Sequence, residues 1–521
     1  MKALRQAILL FGVLGGYVEH TANGQGLVPV KTYLEDPSEV PNAGLFIHND
    51  LAYVGGHSNG YNTINQVGVR IVDLSNPEAP ELLSRIPLRR AHRLHGYSYG
   101  GAVVTDLDTD HFNGTIAVVT SGVPDRYTIW DWVEPFGVWD VSDPANPEFL
   151  SIFGEGEYPH IGLGDLGDYP KLGTAIAGTH FFYLYQPVYR DAGSRNDLDV
   201  HLGIVDLSDP YNPKQIASWQ DSHRVGMVGL SVNKAGTRAY VSALWPKPLG
   251  QLATRGRLYI LDVSNPADPR EIGRWEMFLR NTPMGISSAF MARATDDDQI
   301  VIFADGGWGD DDEDKHGILH ILDTSDPSDI TKLSEFDIYK INPRDGWHMA
   351  VNLSIRGSTV YSAWLDGGVV AVDITDPSRP EMTGQFISKW IADAFPLGDR
   401  YVVASPVWEG GIVVLMDEST GSKATRSETK GDLPERFVLH QNYPNPFNPS
   451  TAISFELPEA AHVLLSVFDL TGREVRRLVD KTMPAGSHRA HFDAGNLPGG
   501  VYLYRVSAGS WSETRKAVLL K

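Results

Sequence analysis

Short apolar runs recur along this chain, each closed by an aspartate and a small polar turn that ends in proline. The phrase reads GVRIVDLSNP to Pro77, GVWDVSDP to Pro144 and LGIVDLSDP to Pro210. It continues as LYILDVSNP to Pro266, LHILDTSDP to Pro327 and VVAVDITDP to Pro377. Its aspartates are Asp73, Asp140, Asp206, Asp262, Asp323 and Asp373, so the spacings are 67, 66, 56, 61 and 50 residues. A degenerate seventh copy, GGIVVLMDEST, puts Asp417 in the matching place. Aliphatic and β-branched pairs such as Ile71-Val72 and Ile260-Leu261 suit a buried strand. Asp and Ser side chains bond nearby backbone N–H groups, and Pro stops the strand.

A second strand follows each turn, as in Glu81 to Ile86 or Glu271 to Trp275. Two more precede it: Val228 to Val232 and Ala239 to Leu244 in the fourth unit, Val351 to Ile355 and Val360 to Trp364 in the sixth. Four antiparallel strands per repeat is the unit of a β-propeller blade, and seven copies predict seven blades. The seventh copy has only three strands before a polar linker. Val28 to Leu34 is an outer-strand sequence that could complete it and remove the open edges of the ring.

The recurring phrase resembles the LVIVD repeat of extracellular bacterial and archaeal proteins, over about residues 27 to 417. The resemblance implies a propeller fold and no particular activity.

Glu418 to Asp432 is polar and charged, a linker composition. Beyond it, Asn442 to Pro449 carries three Pro and three Asn, which excludes a helix or an interior strand. Short alternating strands follow, with turns at Thr471-Gly472 and Pro498-Gly499-Gly500, and predict an immunoglobulin-like sandwich. Asn442 to Pro449, VFDLTGREV (Val467 to Val475), GGVYLYRV (Gly499 to Val506) and KAVLLK (Lys516 to Lys521) resemble the type A C-terminal sorting domain of type IX secretion substrates. That resemblance implies passage across the outer membrane, with the outer-membrane secretion machinery as partner, and release or attachment at the cell surface.

Composition adjusts this picture. Gly (52) and Pro (33) fit a turn-rich fold, and the absence of Cys excludes disulfides, thiolate metal sites and Cys nucleophiles. A formal charge of −21 argues against nucleic acid as a partner. Lys2 and Arg5 followed by the apolar run Ala7 to Val18, with small Ala22 and Gly24, read as a signal peptide cleaved before Gln25. No later apolar run is long enough for a transmembrane helix in the mature chain. The expected organisation is a signal peptide (1–24), propeller (25–417), linker (418–433) and sorting domain (434–521).

With blade strands lettered a to d outward from the axis, the Asp-Pro turns join c to d and share one face with the a–b turns. The b–c and d–a connections share the other. The b–c segments are the long, irregular ones and hold the candidate ligand contacts Trp130, Trp132, Tyr185, Tyr189, Arg190, Trp245 and Trp308, since exposed aromatics stack on sugars and peptides. His95, His160, His223 and His348 stand at or just before first strands of four units and are candidate ligands for a transition metal. Met284 occupies the similar place in unit five and breaks the ring. Asp106, Asp108 and Asp110 before Asn113-Gly114 are candidate Ca²⁺ ligands, although no Glu stands at the twelfth position. The acidic run Asp310 to Asp314 has charge without ligand spacing. Nucleophile-elbow, P-loop and H-E-x-x-H motifs are absent.

The favoured expectation is therefore a secreted or outer-surface binding or adhesion protein, with an extracellular glycan or protein as ligand. A metal-assisted propeller hydrolase or lactonase, using the His group at the channel mouth, is the alternative. A purely structural surface-layer component is the third.

Overall fold

The computed structural model describes residues 26–33, 42–56, 68–87, 99–122, 136–153, 157–159, 173–187, 200–221, 226–245, 255–278, 286–308, 317–338, 350–364, 367–388, 391–406, 411–419 and most of 437–520. Residues 1–24, read above as a signal peptide, lie outside them. The chain divides into two compact units, residues 1–423 and 424–521.

Seven antiparallel sheets build the first unit. Their innermost strands are Asn42–His48, Tyr99–Asp108, the pair Glu157–Pro159 and Thr174–Ala177, Gly226–Val232, Ile286–Ala294, Ala350–Arg356 and Ile391–Leu397. Each packs against the next, and the last packs against the first. The sheets are thus the blades of a closed seven-bladed propeller, numbered here from Asn42–His48. A single blade has apolar residues on both faces, and only its neighbours can cover them. Between blades 2 and 3, for example, Phe136, Val138, Phe181 and Tyr183 interlock fully buried. Burial at that level stabilises by about 1.5–3 kcal/mol per large side chain.

The Asp-Pro phrase forms two successive aspartate-type turns. In the first, the backbone N–H two residues on donates to the aspartate Oδ1, at 2.8 Å for Ser75 to Asp73 and 3.0 Å for Ser325 to Asp323. The second Asp or Asn repeats this, as in Ala145 N–H to Asp143 at 3.1 Å and Ser378 N–H to Asp376 at 3.0 Å. Beyond the turn, the ladder between strands c and d slips by one residue in blades 1 to 6, a β-bulge that falls on the third residue of strand d. In blades 1, 2, 4 and 5 the fourth residue then faces the proline of the next blade. Ser84 Oγ donates to the Pro144 carbonyl at 2.5 Å, Ser151 to Pro210 at 2.5 Å and Ser334 to Pro377 at 2.6 Å. At Gly273 a side-chain carbon would run into the Pro327 carbonyl. Pro144, Pro210, Pro327 and Pro377 are therefore inter-blade contacts as well as strand stops.

Blade 7 departs from this plan. Strands Ile391–Leu397, Tyr401–Pro406 and Ile412–Asp417 come from the end of the unit, and the fourth, Leu27–Tyr33, comes from its start. Leu27 pairs with Asp417 and Tyr33 with Ile412, antiparallel. Asp417 keeps the turn bond, accepting from Ser419 N–H at 3.0 Å. It sits one register step beyond the place expected, however, because Met416 pairs with Tyr401 as Asp73 pairs with Leu51. That shift buries Asp417 completely, and it accepts from Tyr361 Oη at 2.5 Å and Arg356 at 3.1 Å in blade 6.

The second unit is a sandwich of two sheets. One contains Val438–Leu439, Ser450–Leu457 and Gly486–Asp493; the other orders Glu474–Met483, Ala461–Phe468, Gly500–Ala508 and Trp511–Leu519. Phe455, Leu465, Phe492 and Tyr504 meet between them. The Pro/Asn stretch is fixed by its non-proline residues. Asn442 N–H donates to Tyr504 Oη at 2.6 Å, and Asn445 Oδ1 accepts from Val518 N–H at 2.7 Å. Phe447, 1% exposed, exchanges 2.8 Å backbone bonds with Val518 and Leu520 and so caps part of the edge strand.

Candidate functional site

The strand order sorts the connections onto two faces, as alternating antiparallel strands require. On one face are the tight a–b turns and the uniform Asp-Pro turns. The connections b–c and d–a, on the other, include residues 57–67, 88–98, 123–135, 188–199 and 339–349. In blade 3 the innermost position is shared by Glu157–Pro159 and Thr174–Ala177, and residues 160–172 between them lie outside the described residues.

Most sequence-predicted contacts fall in these connections. Trp130, Trp132, Tyr189, Arg190, His95, His160, His223 and His348 lie outside the described residues. So does the acidic run Asp310 to Asp314. Trp245 and Trp308 end strands Arg238–Trp245 and Ile300–Trp308, placing both at the start of b–c connections, but their side chains are outside the described set.

Tyr185 is described, and it differs from the exposed platform expected of it. It is 7% exposed, stacks on Tyr183 with ring centroids 5.1 Å apart, and donates to Ser218 Oγ at 3.1 Å. Its strand, HFFYLYQP, lies between sheets on both sides, so residues of either parity are buried. His201 lies against the Tyr185 ring and reaches the same Ser218 hydroxyl at 3.3 Å.

Asp106 and Asp108 occupy the a–b hairpin of blade 2, on the tight-turn face. Asp106 Oδ1 is 3.0 Å from His48 Nε2 in blade 1 and accepts from Thr115 Oγ1 at 2.7 Å. Burial raises the Asp106 pKa, but those bonds outweigh it and hold the carboxyl below its ordinary value. Asp108 accepts from Asn113 Nδ2 at 2.6 Å. Asp110 is exposed in the turn. Among the described residues no group of three or more His, Asp or Glu is placed to hold a metal.

Two polar networks under the loop-bearing face were not apparent from the sequence. In blade 4, Arg257 is ion-paired with Glu276 and donates to Tyr259 Oη at 2.8 Å; Tyr259 donates to Asp221 of blade 3, also at 2.8 Å. Burial pushes the Tyr259 phenol well above its usual range, which keeps it a donor. In blade 5, Asp305 accepts from Ile318 N–H at 2.7 Å and lies 3.1 Å from His320 Nε2, with Glu335 3.4 Å from the other ring nitrogen. The Asp305–Ile318 bond closes the base of the 309–316 connection. An isolated Arg or His between apolar residues was the available signal, but its partners lie on other strands. These networks fix the strand ends from which the loops start.

Residues 441–520 match the secretion system C-terminal sorting domain family, and residues 252–276 and 348–387 match the LVIVD repeat. No curated protein sequence matches the chain. Among solved structures it is similar to PorZ, described as an essential bacterial surface component of the type-IX secretion system of Porphyromonas gingivalis. That likeness is 11% identical with a TM-score of 0.33, covering 92% of this chain and 66% of that one, just under two thirds of its length. A chain from the mitotic checkpoint complex is 12% identical (TM-score 0.42, covering 77% of this chain and 95% of that one). Saccharomyces cerevisiae Sqt1 is 10% identical (TM-score 0.41, covering 75% of this chain and 99% of that one). No functional conclusion follows from likenesses at that level.

Proposed function

Because the chain is an LVIVD-repeat propeller carrying a C-terminal type IX sorting domain, and is therefore a secreted or cell-surface protein, we propose that it is an extracellular binding or adhesion protein whose b–c and d–a face meets the ligand. One observation carries this reading. The two faces of the propeller are unequal, with uniform turns on one and the long, aromatic-rich connections on the other. Long connections on a rigid scaffold are where recognition usually sits. The ligand class that suits exposed Trp, Tyr and Arg is a glycan or a protein surface. The sorting domain engages the secretion machinery, and no helix among the described residues is long and apolar enough to cross a membrane.

The test is a glycan and surface-protein array probed with the mature chain, with a variant whose residues 123–135 are replaced by a short Gly/Ser turn as control. Saturable binding that the variant loses is the expected result. Equal binding by both, or self-association as the only interaction, would overturn the reading.

A further inference from the structure

We propose that the central channel binds a small oxoanion, a carboxylate or a phosphate, on Arg293. This site does not rest on the loop-face reading above. Arg293 lies on the innermost strand of blade 5, Ile286–Ala294, at the register position held by Ser231 in blade 4, Ser354 in blade 6 and Phe395 in blade 7. It is the only cation among those four. Both serines there are committed, donating to the carbonyls of Ala292 and Ala394 in the following blades. Arg293 itself is partly buried, and its Nε is enclosed without a hydrogen-bond partner among the described residues.

The carboxylate that acts on it electrostatically is Asp393, on the innermost strand of blade 7. Blade 6 separates the two residues, and in a ring only the inner strands of such blades approach one another, at the axis. Asp393 offers Arg293 little, since Oδ2 already accepts from Leu45 N–H at 2.6 Å and Oδ1 from Asn352 Nδ2. The Nε of Arg257 is enclosed in the same way, but its terminal nitrogens have Tyr259 and Glu276, and the half-buried Arg356 has Asp417 and Tyr361. A guanidinium offers five N–H donors in a fork that fits two oxygens of one oxoanion, and a charge removed from water needs such a partner. Burial also pushes the Arg293 pKa down, partly offset by Asp393, so a bound anion would restore what the site withholds from the charged form.

Isothermal titration of the full chain with sodium phosphate and with sodium acetate, each in a chloride background, tests this. The wild type should bind at least one of the two saturably at a single site, and the pair distinguishes a phosphate site from a carboxylate site. Arg293→Gln should weaken that binding by about tenfold or more. Arg293→Lys keeps the charge without the fork and guards against a misfolded glutamine variant; near-UV circular dichroism confirms its fold, and it too should bind more weakly. Absence of saturable binding to either anion, or wild-type affinity in a folded variant, would overturn the proposal.

Discussion

Blades 1 to 6 and blade 7 solve the same packing problem by different means. Each of the first six takes its strands from one continuous run of chain, and in blades 1, 2, 4 and 5 the outer strand meets the next blade through a serine or glycine against a proline carbonyl. Blade 7 is sewn from both ends of the unit. It carries two buried carboxylates that reach across the seam: Asp393 toward blades 6 and 1, and Asp417 toward blade 6. Apolar contact would hold many pairings equally well. A buried carboxylate tolerates only the arrangement that satisfies it, so polarity specifies the seam where chain continuity cannot; Asp221, between blades 3 and 4, adds the same device to a junction that is already continuous.

Removing residues 26–33 should have the largest effect, since it leaves Ile412–Asp417 as an unpaired edge. Thermal unfolding followed by circular dichroism should lose its single cooperative propeller transition; a retained one would mean the ring does not need its seam. Next comes Asp417→Ala, which strands Tyr361 and Arg356 and should cost about 3–5 kcal/mol in urea unfolding. Asp417→Asn, keeping an acceptor, should recover part of that. At a regular junction the effects shrink. Gly273→Ala forces Pro327 aside and should cost about 1–3 kcal/mol, whereas Ser334→Ala removes one hydrogen bond worth about 0.5–1.5 kcal/mol. A junction variant that outweighed Asp417→Ala would erase the distinction.

Acid should act on the regular turns and on the blade 1–2 contact. Asp323 and Asp326 are held below the ordinary 3.8 chiefly by the hydroxyls of Ser325 and Ser328, and Asp106 by His48 and Thr115 against the upward pull of burial. A depressed folded-state pKa contributes stability that is complete above the unfolded value and disappears as pH falls through the folded one. Denaturation midpoints should therefore be insensitive to these groups above the carboxylate range and decline below 3.8. A midpoint that stayed level through that range would show that the turn bonds contribute nothing.

The repeat was legible because its signals are local: strand, Asp, turn and Pro fall within one short phrase. The closing strand was legible too, since Val28 to Leu34 had outer-strand character and blade 7 lacked one strand; the observed Leu27–Tyr33 differs by a single residue. What stayed hidden depends on partners far along the chain. Ser84 and Pro144 are 60 residues apart, and nothing near either announces the bond. The one-residue shift at Asp417 shows only when its pairing with Tyr401–Pro406 is traced. Tyr185 looked like a loop aromatic because its strand ends there, yet neighbouring sheets cover both of its faces. The acidic triplet suggested calcium by spacing, but spacing did not show that His48 and Asn113 would take up Asp106 and Asp108.

One consequence of the seam concerns how the ring is wired. Glu418 N–H donates to the Gly26 carbonyl at 3.2 Å, so the polypeptide leaves the ring beside the place where it came in. A short peptide joining those neighbours would make the circle covalently endless, and new termini could be opened in any a–b hairpin. Circular permutation could thus move the break from blade to blade and ask whether a ring must be cut where its two buried acids stand guard.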